Sequence, residues 1–221
     1  MEYREILSHV DHTLLKPEAT WDAVRTLCDE AAAYGCASVC INTCYVKQAA
    51  EYLAGRVPVC CVVGFPLGAM DTASKCFEAK TAVANGAQEV DMVINIGWLK
   101  AGRYQDVQQE IAAVKAAVGD KVLKVIIETC LLTDAEKETM CRIVPDAGAD
   151  FIKTSTGFST GGATFADIRL FARCVQGRCK IKAAGGISSI ADMETFLALG
   201  DDRLGTSRAV GLVKKAEAEG R

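Results

Sequence analysis

The chain has 221 residues, half of them hydrophobic and 24% charged, with a formal net charge of -3. That length suits one larger α/β domain over 1–221, and the acidic balance leaves no basic footprint for a nucleic-acid partner. The opening Met1-Glu2-Tyr3-Arg4-Glu5 lacks a signal peptide's apolar stretch, and no uncharged apolar run is long enough to span a bilayer.

Eight short β-like runs are predicted in chain order, at 9–13, 37–41, 57–64, 89–95, 123–128, 150–155, 179–184 and 203–206. Helix-period segments separate them. Val24, Leu27 and Ala31 form one apolar stripe, and Tyr104, Val107, Ile111, Val114 and Val118 form another. Asp71 and Thr164 are candidate N-caps, and Thr133-Asp134-Ala135-Glu136 reads as a capping box. Gly86, Gly119 and Gly200 stand where helices should stop. Pro145 falls late in the helix begun at Thr133, which is expected to end or kink just before it.

Eleven cysteines in a chain of this size do not read as a disulfide scaffold. Cys60, Cys61 and Cys179 lie in strand-like runs, where a free thiol behaves as a small hydrophobe. Cys36, Cys40 and Cys44 are four apart with no His-x-x-x-His partner, so no metal site is expected. A reducing cytoplasm fits these thiols.

No linker or internal repeat divides the chain. Alternating strands and helices leave an open doubly wound sheet or a closed (β/α)8 TIM barrel. The open sheet would carry its glycine-rich turn after the first strand, whereas here such turns follow the seventh and eighth. The barrel is the expected fold.

In a barrel, alternate residues point inward and the C-terminal strand ends carry the chemistry. Taking Lys153 as inward, the apolar partners on each strand face the helices. This leaves Asp91, Val93 and Asn95 inside on the fourth strand, Lys124 and Glu128 on the fifth, and Lys180 and Lys182 on the seventh. The first two strands add Asp11 with Thr13, and Cys40 with Asn42. Lys153 and Lys182 sit on neighbouring strands roughly 5 Å apart, so one amine is expected to be pushed towards neutrality. Spacing leaves open which one. The bland alternative is a set of ion pairs, Lys153 with Glu128 and Lys182 with Asp91.

Two further segments point to an anion. Gly185-Gly186 follows the seventh strand, and Ser207-Arg208 opens the last helix. Freed amides beside a helix N-terminus make a phosphate seat, in the loops where barrels most often hold one. Arg208 adds a charge able to bind phosphate bidentately.

At this point the sequence resembles the deoxyribose-phosphate aldolase family of class I barrel aldolases. The matching segments are Asp11-His12-Thr13-Leu14-Leu15, Ala37-Ser38-Val39-Cys40-Ile41, Val62-Val63-Gly64-Phe65-Pro66-Leu67-Gly68, Glu89-Val90-Asp91-Met92-Val93-Ile94-Asn95, Phe151-Ile152-Lys153-Thr154-Ser155-Thr156-Gly157-Phe158, Ile181-Lys182-Ala183-Ala184-Gly185-Gly186 and Leu204-Gly205-Thr206-Ser207. The resemblance implies reversible cleavage of 2-deoxy-D-ribose 5-phosphate to D-glyceraldehyde 3-phosphate and acetaldehyde, without a cofactor. It implies Lys153 as the Schiff-base former, Lys182 as the lysine that perturbs it and helps move protons, and Asp91 as the proton-relay carboxylate. Thr156, Gly157, Gly185, Gly186 and Ser207 would line the phosphate end, and Asp11, Thr13 and Cys40 the aldehyde end. A homodimer or homotetramer is common in the family.

Three features depart from its pattern: Phe158 replaces a lysine found in some members, Arg208 replaces a second serine, and the sequence stops at Arg221 without a tail ending in tyrosine. Two competing readings are a sugar-phosphate isomerase or epimerase and a non-catalytic phosphometabolite-binding barrel. The first needs a histidine or carboxylate base, and the only histidines are His9 and His12.

Overall fold

All eight predicted strands form, and their hydrogen bonding closes on itself. A computed structural model describes residues 1–220; Arg221, the end of the expected domain, lies outside the described residues. The strands are β1 Val10–Leu14, β2 Ser38–Asn42, β3 Val59–Val63, β4 Glu89–Val93, β5 Val122–Ile126, β6 Phe151–Lys153, β7 Lys180–Ala184 and β8 Arg203–Thr206. Each pairs in parallel with the next, and β8 pairs back onto β1, giving a closed (β/α)8 barrel.

The helices are α1 Tyr3–Leu7, α2 Trp21–Tyr34, α3 Val46–Leu53, α4 Thr72–Ala84, α5 Ile96–Lys100, α6 Tyr104–Val118, α7 Asp134–Asp146, α8 Phe165–Val175, α9 Ile190–Ala198 and α10 Ala209–Ala218. Their starts follow the chemistry of the sequence. Asp71 accepts from Ser74 N at 3.0 Å to cap α4, Thr164 caps α8, and Thr133 and Glu136 complete the capping box of α7. Among the described residues no helix is long and apolar enough to cross a membrane.

α7 does not end before Pro145, one of the two expected outcomes, but runs through it to Asp146. A proline removes the bond to the carbonyl four residues back, here that of Cys141. That carbonyl faces Arg178 Nη2 at 3.5 Å instead, and the helix stops one residue after the proline, so few bonds are lost.

The apolar core lies between the barrel and its helices. Val90, Met92 and Ile94 from β4 and its extension, with Ile181 and Ala183 from β7, belong to it, as outward parity requires. The interior is different: a small cluster of Leu15, Cys40, Cys60 and Val62 shares it with buried charges. All eleven cysteines are free of disulfides.

Candidate active site

The register places the interior charges side by side. Asp91 on β4 pairs in register with Lys124 on β5, and Lys153 on β6 with Lys182 on β7. Parity points all four inward, and all are buried. Asp91 is the hub: its Oδ2 accepts from Lys153 Nζ at 2.7 Å and Lys182 Nζ at 2.6 Å, and its Oδ1 from Lys124 Nζ at 2.9 Å. Asp11 is a second centre, bonded to Lys182, to Arg203 Nη1 at 2.6 Å and to Ser38 Oγ at 2.7 Å. Glu89 joins through Lys124 at 2.5 Å and Arg203 at 3.0 Å.

Burial works against the charges of Asp11, Asp91, Lys124, Lys182 and Arg203, and mutual attraction overcomes it. Burial alone would raise Asp91, but Lys124, Lys153 and Lys182 hold it well below the usual carboxylate range. Asp11 is held low against the same penalty by Lys124 and Lys182. Burial would lower Lys124 and Lys182, yet the carboxylates of Asp11 and Asp91 raise both. Lys182 is therefore not pushed towards neutrality by its neighbour. Asp91 stands between the two amines, which spacing along the chain could not reveal.

The bland pairing scheme is half met. Lys182 does pair with Asp91, but Lys153 pairs with Asp91 too, and Glu128 instead accepts from Thr156 Oγ1 at 2.5 Å. Two more inward expectations change at the strand ends. Lys180 is exposed, with Nζ 5.7 Å from the Phe151 ring centroid. Asn95 lies beyond the end of β4 and caps α5 by accepting from Trp98 N at 3.1 Å.

A cavity of about 310 Å³ opens above the cluster at the C-terminal strand ends. Of the three interior lysines only Lys153 lines it, with Thr13 from β1 beside it. Around them stand Thr156 and Gly157 after β6, Gly185 and Gly186 after β7, and Ser207 and Arg208 before α10. Asp91, Lys182, Asp11 and Cys40 lie beneath, buried, and do not line it. Neither histidine does. His12 Nε2 lies 2.9 Å from Glu30, and His9 Nδ1 lies 3.0 Å from the Asp202 carbonyl oxygen.

The glycines shape the anion end. Gly157, Gly185 and Gly186 have φ of 82°, 78° and 76°, left-handed values that side chains rarely adopt. A Cβ on Gly162 would come within 2.4 Å of the Gly185 oxygen, so the loops after β6 and β7 touch backbone to backbone. The first amides of α10 have no partner within the helix. Together with the Arg208 guanidinium they make this end of the cavity suitable for a phosphate. Thr156 contributes less than its position promises, since both its N–H and its hydroxyl are donated to Glu128.

Two sets of residues, Cys40 with Cys60 and Asp91, and Asp11 with Cys60 and Glu89, bring metal-ligating atoms within 4.8 Å of one another. Their carboxylates already accept from Lys124 and Lys182, whose charges burial fails to remove, and these ammonium groups would repel a divalent cation.

Reasoning from sequence missed Glu89, Arg203 and Cys60 as members of the cluster. Strand parity could have found all three: Glu89 is two residues before Asp91, Arg203 pairs with Lys182, and Cys60 pairs with Glu89.

Comparison with known proteins gives one consistent result. The model of the DeoC/LacD family aldolases matches residues 6–213. A deoxyribose-phosphate aldolase of Clostridium botulinum is 55% identical over 220 residues, covering 100% of both chains. One from Streptococcus pyogenes is 55% identical over 214 residues, 97% of this chain and 96% of its own. The tetrameric structure of deoxyribose phosphate aldolase from Aeropyrum pernix superposes with a TM-score of 0.91 at 32% identity, covering 99% of this chain and 93% of that one.

Proposed function

Because the chain belongs to the DeoC/LacD family of aldolases, we propose that it reversibly cleaves 2-deoxy-D-ribose 5-phosphate to D-glyceraldehyde 3-phosphate and acetaldehyde through a Schiff base on Lys153. One observation carries the choice of nucleophile: of the three interior lysines, only Lys153 reaches the cavity.

The amine must be unprotonated to attack the substrate's C1 carbonyl. Four basic groups (Lys124, Lys153, Lys182 and Arg203) face three carboxylates (Asp11, Glu89 and Asp91) in the cluster, so losing one proton leaves it charge-balanced. Attack gives a carbinolamine, and loss of water gives the protonated imine. The C3 hydroxyl then loses its proton as the C2–C3 bond breaks, releasing D-glyceraldehyde 3-phosphate. The electron pair of that bond passes into the imine, leaving an enamine. Protonation at C2 and hydrolysis release acetaldehyde and restore the amine. The imine is the electron sink, so the scheme calls for no cofactor.

Asp91 is assigned the proton relay, directly or through water. Its bond to Lys153 Nζ puts it at the reacting nitrogen. Lys182, fully buried, acts through Asp91: it holds the carboxylate in place and keeps it ionised. The phosphate is assigned to Gly157, Gly185, Gly186, Ser207 and Arg208, with Thr156 shaping the same wall. Thr13 lies beside the aldehyde end, while Asp11 and Cys40 support it from beneath. A homodimer or homotetramer is the proposed assembly, supported by the tetrameric Aeropyrum pernix enzyme. The proposed setting is the cytoplasm, which the unbonded thiols suit.

Incubation with acetaldehyde and sodium borohydride, followed by digestion and mass spectrometry, tests the mechanism. An ethyl adduct is expected on Lys153, and Lys153→Ala should fold, lose the adduct and lose cleavage. A wild-type protein with no adduct on any lysine would sink the Schiff base.

A further inference from the structure

Glu128 is a buried carboxylate that the scheme above leaves without a role. It follows the end of β5 and is 2% exposed, and among the described residues it forms no ion pair. Its backbone is left-handed, with φ 56° and ψ 66°, an uncommon conformation for a residue with a long side chain. Strain of this kind persists where surrounding structure enforces it, and it clusters at functional sites.

The strain has a visible consequence. Beyond β5 the ladder to β6 runs from Ile127 N to the Lys153 oxygen at 3.1 Å, then from Thr129 N to the Thr154 oxygen at 2.9 Å. Two residues advance on one strand against one on the other, as in a bulge. The Glu128 carboxylate meets Thr156, accepting from its N–H at 3.2 Å and its hydroxyl at 2.5 Å. The Thr156 hydroxyl in turn accepts from Phe158 N at 3.0 Å, and the Phe158 ring packs edge-on against Phe65, centroids 5.3 Å apart. Thr156, Gly157 and Phe158 all line the cavity, three to five residues after Lys153.

We propose that Glu128 is a positioning residue for the aldol reaction, one that holds the turn Thr156–Gly157–Phe158 as the wall of the phosphate end of the cavity. The inference rests on the aldolase reading. By taking both Thr156 donors, Glu128 sets where the Gly157 amide stands relative to the incoming anion. Among the described residues no hydrogen bond or ion pair joins it to Lys153 or Asp91, so its loss acts on substrate binding and leaves imine formation intact.

Steady-state kinetics of Glu128→Ala and Glu128→Gln, with and without Thr156→Val, test this on 2-deoxyribose 5-phosphate and on unphosphorylated 2-deoxyribose. Glutamine keeps one acceptor for the hydroxyl but presents a second donor group to the Thr156 N–H. Glu128→Ala should raise KM for the phosphorylated sugar by about tenfold or more, and Glu128→Gln by less, since a hydrogen bond to a charged group is of that size. KM for the unphosphorylated sugar should move by less than about threefold, and borohydride should still trap acetaldehyde on Lys153. Adding Thr156→Val to Glu128→Ala should do less further harm than Thr156→Val does alone, because both changes remove one shared interaction. Equal effects on the two sugars, an unmoved KM, or additive effects in the double variant would overturn the role of Glu128. A wild-type protein that traps nothing would instead overturn the aldolase reading on which it stands.

Discussion

Replacing Asp91 with asparagine tests the charge cluster at its hub. The carboxylate accepts from Lys153, Lys182 and Lys124 at 2.7, 2.6 and 2.9 Å, and all four residues are at most 3% exposed. An amide of the same shape keeps one acceptor oxygen and turns an N–H group towards the ammonium groups. Three charge-assisted bonds at about 1.5–3 kcal/mol each set an upper bound, but bonds to one shared group are not additive. Measured losses from broken buried ion pairs are about 3–5 kcal/mol, which is the fall expected here. With a urea slope of about 2–3 kcal/mol/M, the unfolding midpoint at pH 7 should drop by about 1–2.5 M. The pH dependence carries a sign. Asp91 titrates lower in the folded chain than in the unfolded one, so its stabilisation is fully present above about pH 4 and is lost as pH falls through the folded value. The gap between wild type and variant should therefore stay constant from about pH 8 to 5 and begin to close below about pH 4. Turnover should fall by about 10²–10⁴-fold with the loss of the proton relay. A variant with the wild-type urea midpoint at pH 7, or a gap that does not close in acid, would refute this account of the cluster.

Two other outcomes follow from the same geometry. Arg208→Ser should raise KM for 2-deoxyribose 5-phosphate by about tenfold while leaving unphosphorylated 2-deoxyribose little changed; equal changes would remove Arg208 from the phosphate. Lys75 and Glu110 form an ion pair at 2.9 Å between α4 and α6, with both side chains 0% exposed. Burial lowers Lys75 and raises Glu110 in spite of their attraction, so each charge is held at a loss. Lys75→Met alone should lower stability by about 3–5 kcal/mol in urea unfolding, while Lys75→Met with Glu110→Leu should recover most of it. A double variant as unstable as the single one would contradict this reading.

Much of the site was legible because strand parity is a strict period of two. Once Lys153 is taken as inward, Asp91, Lys124 and Lys182 must share the barrel with it, and they do. The glycine-rich turn after β7 likewise marked the anion end, since left-handed backbone favours glycine, whereas Gly205 lies within β8 and is not left-handed. Parity failed where strands end. Glu128 was expected to face Lys153 but lies beyond β5 in a left-handed conformation, which breaks the alternation and carries its carboxylate to Thr156. Asn95 left the pattern in the same way, drawn off to cap α5. Pro145 was judged by its intrinsic preference, and Arg178 from a distant turn supplied the bond that let α7 pass it.

Local sequence thus determined the eight strands, the helix starts and the inward placing of Asp11, Asp91, Lys124, Lys153 and Lys182, because periodicity and capping act over a few residues. Only the tertiary structure decided how those charges pair. Asp91 reaches residues 33, 62 and 91 positions away, and which oxygen meets which amine depends on barrel closure and stagger. It also decided that Lys153 opens to the cavity while Lys182 is sealed beneath. Both lysines have the same parity on adjacent strands and pair in register, so spacing along the chain could not separate them.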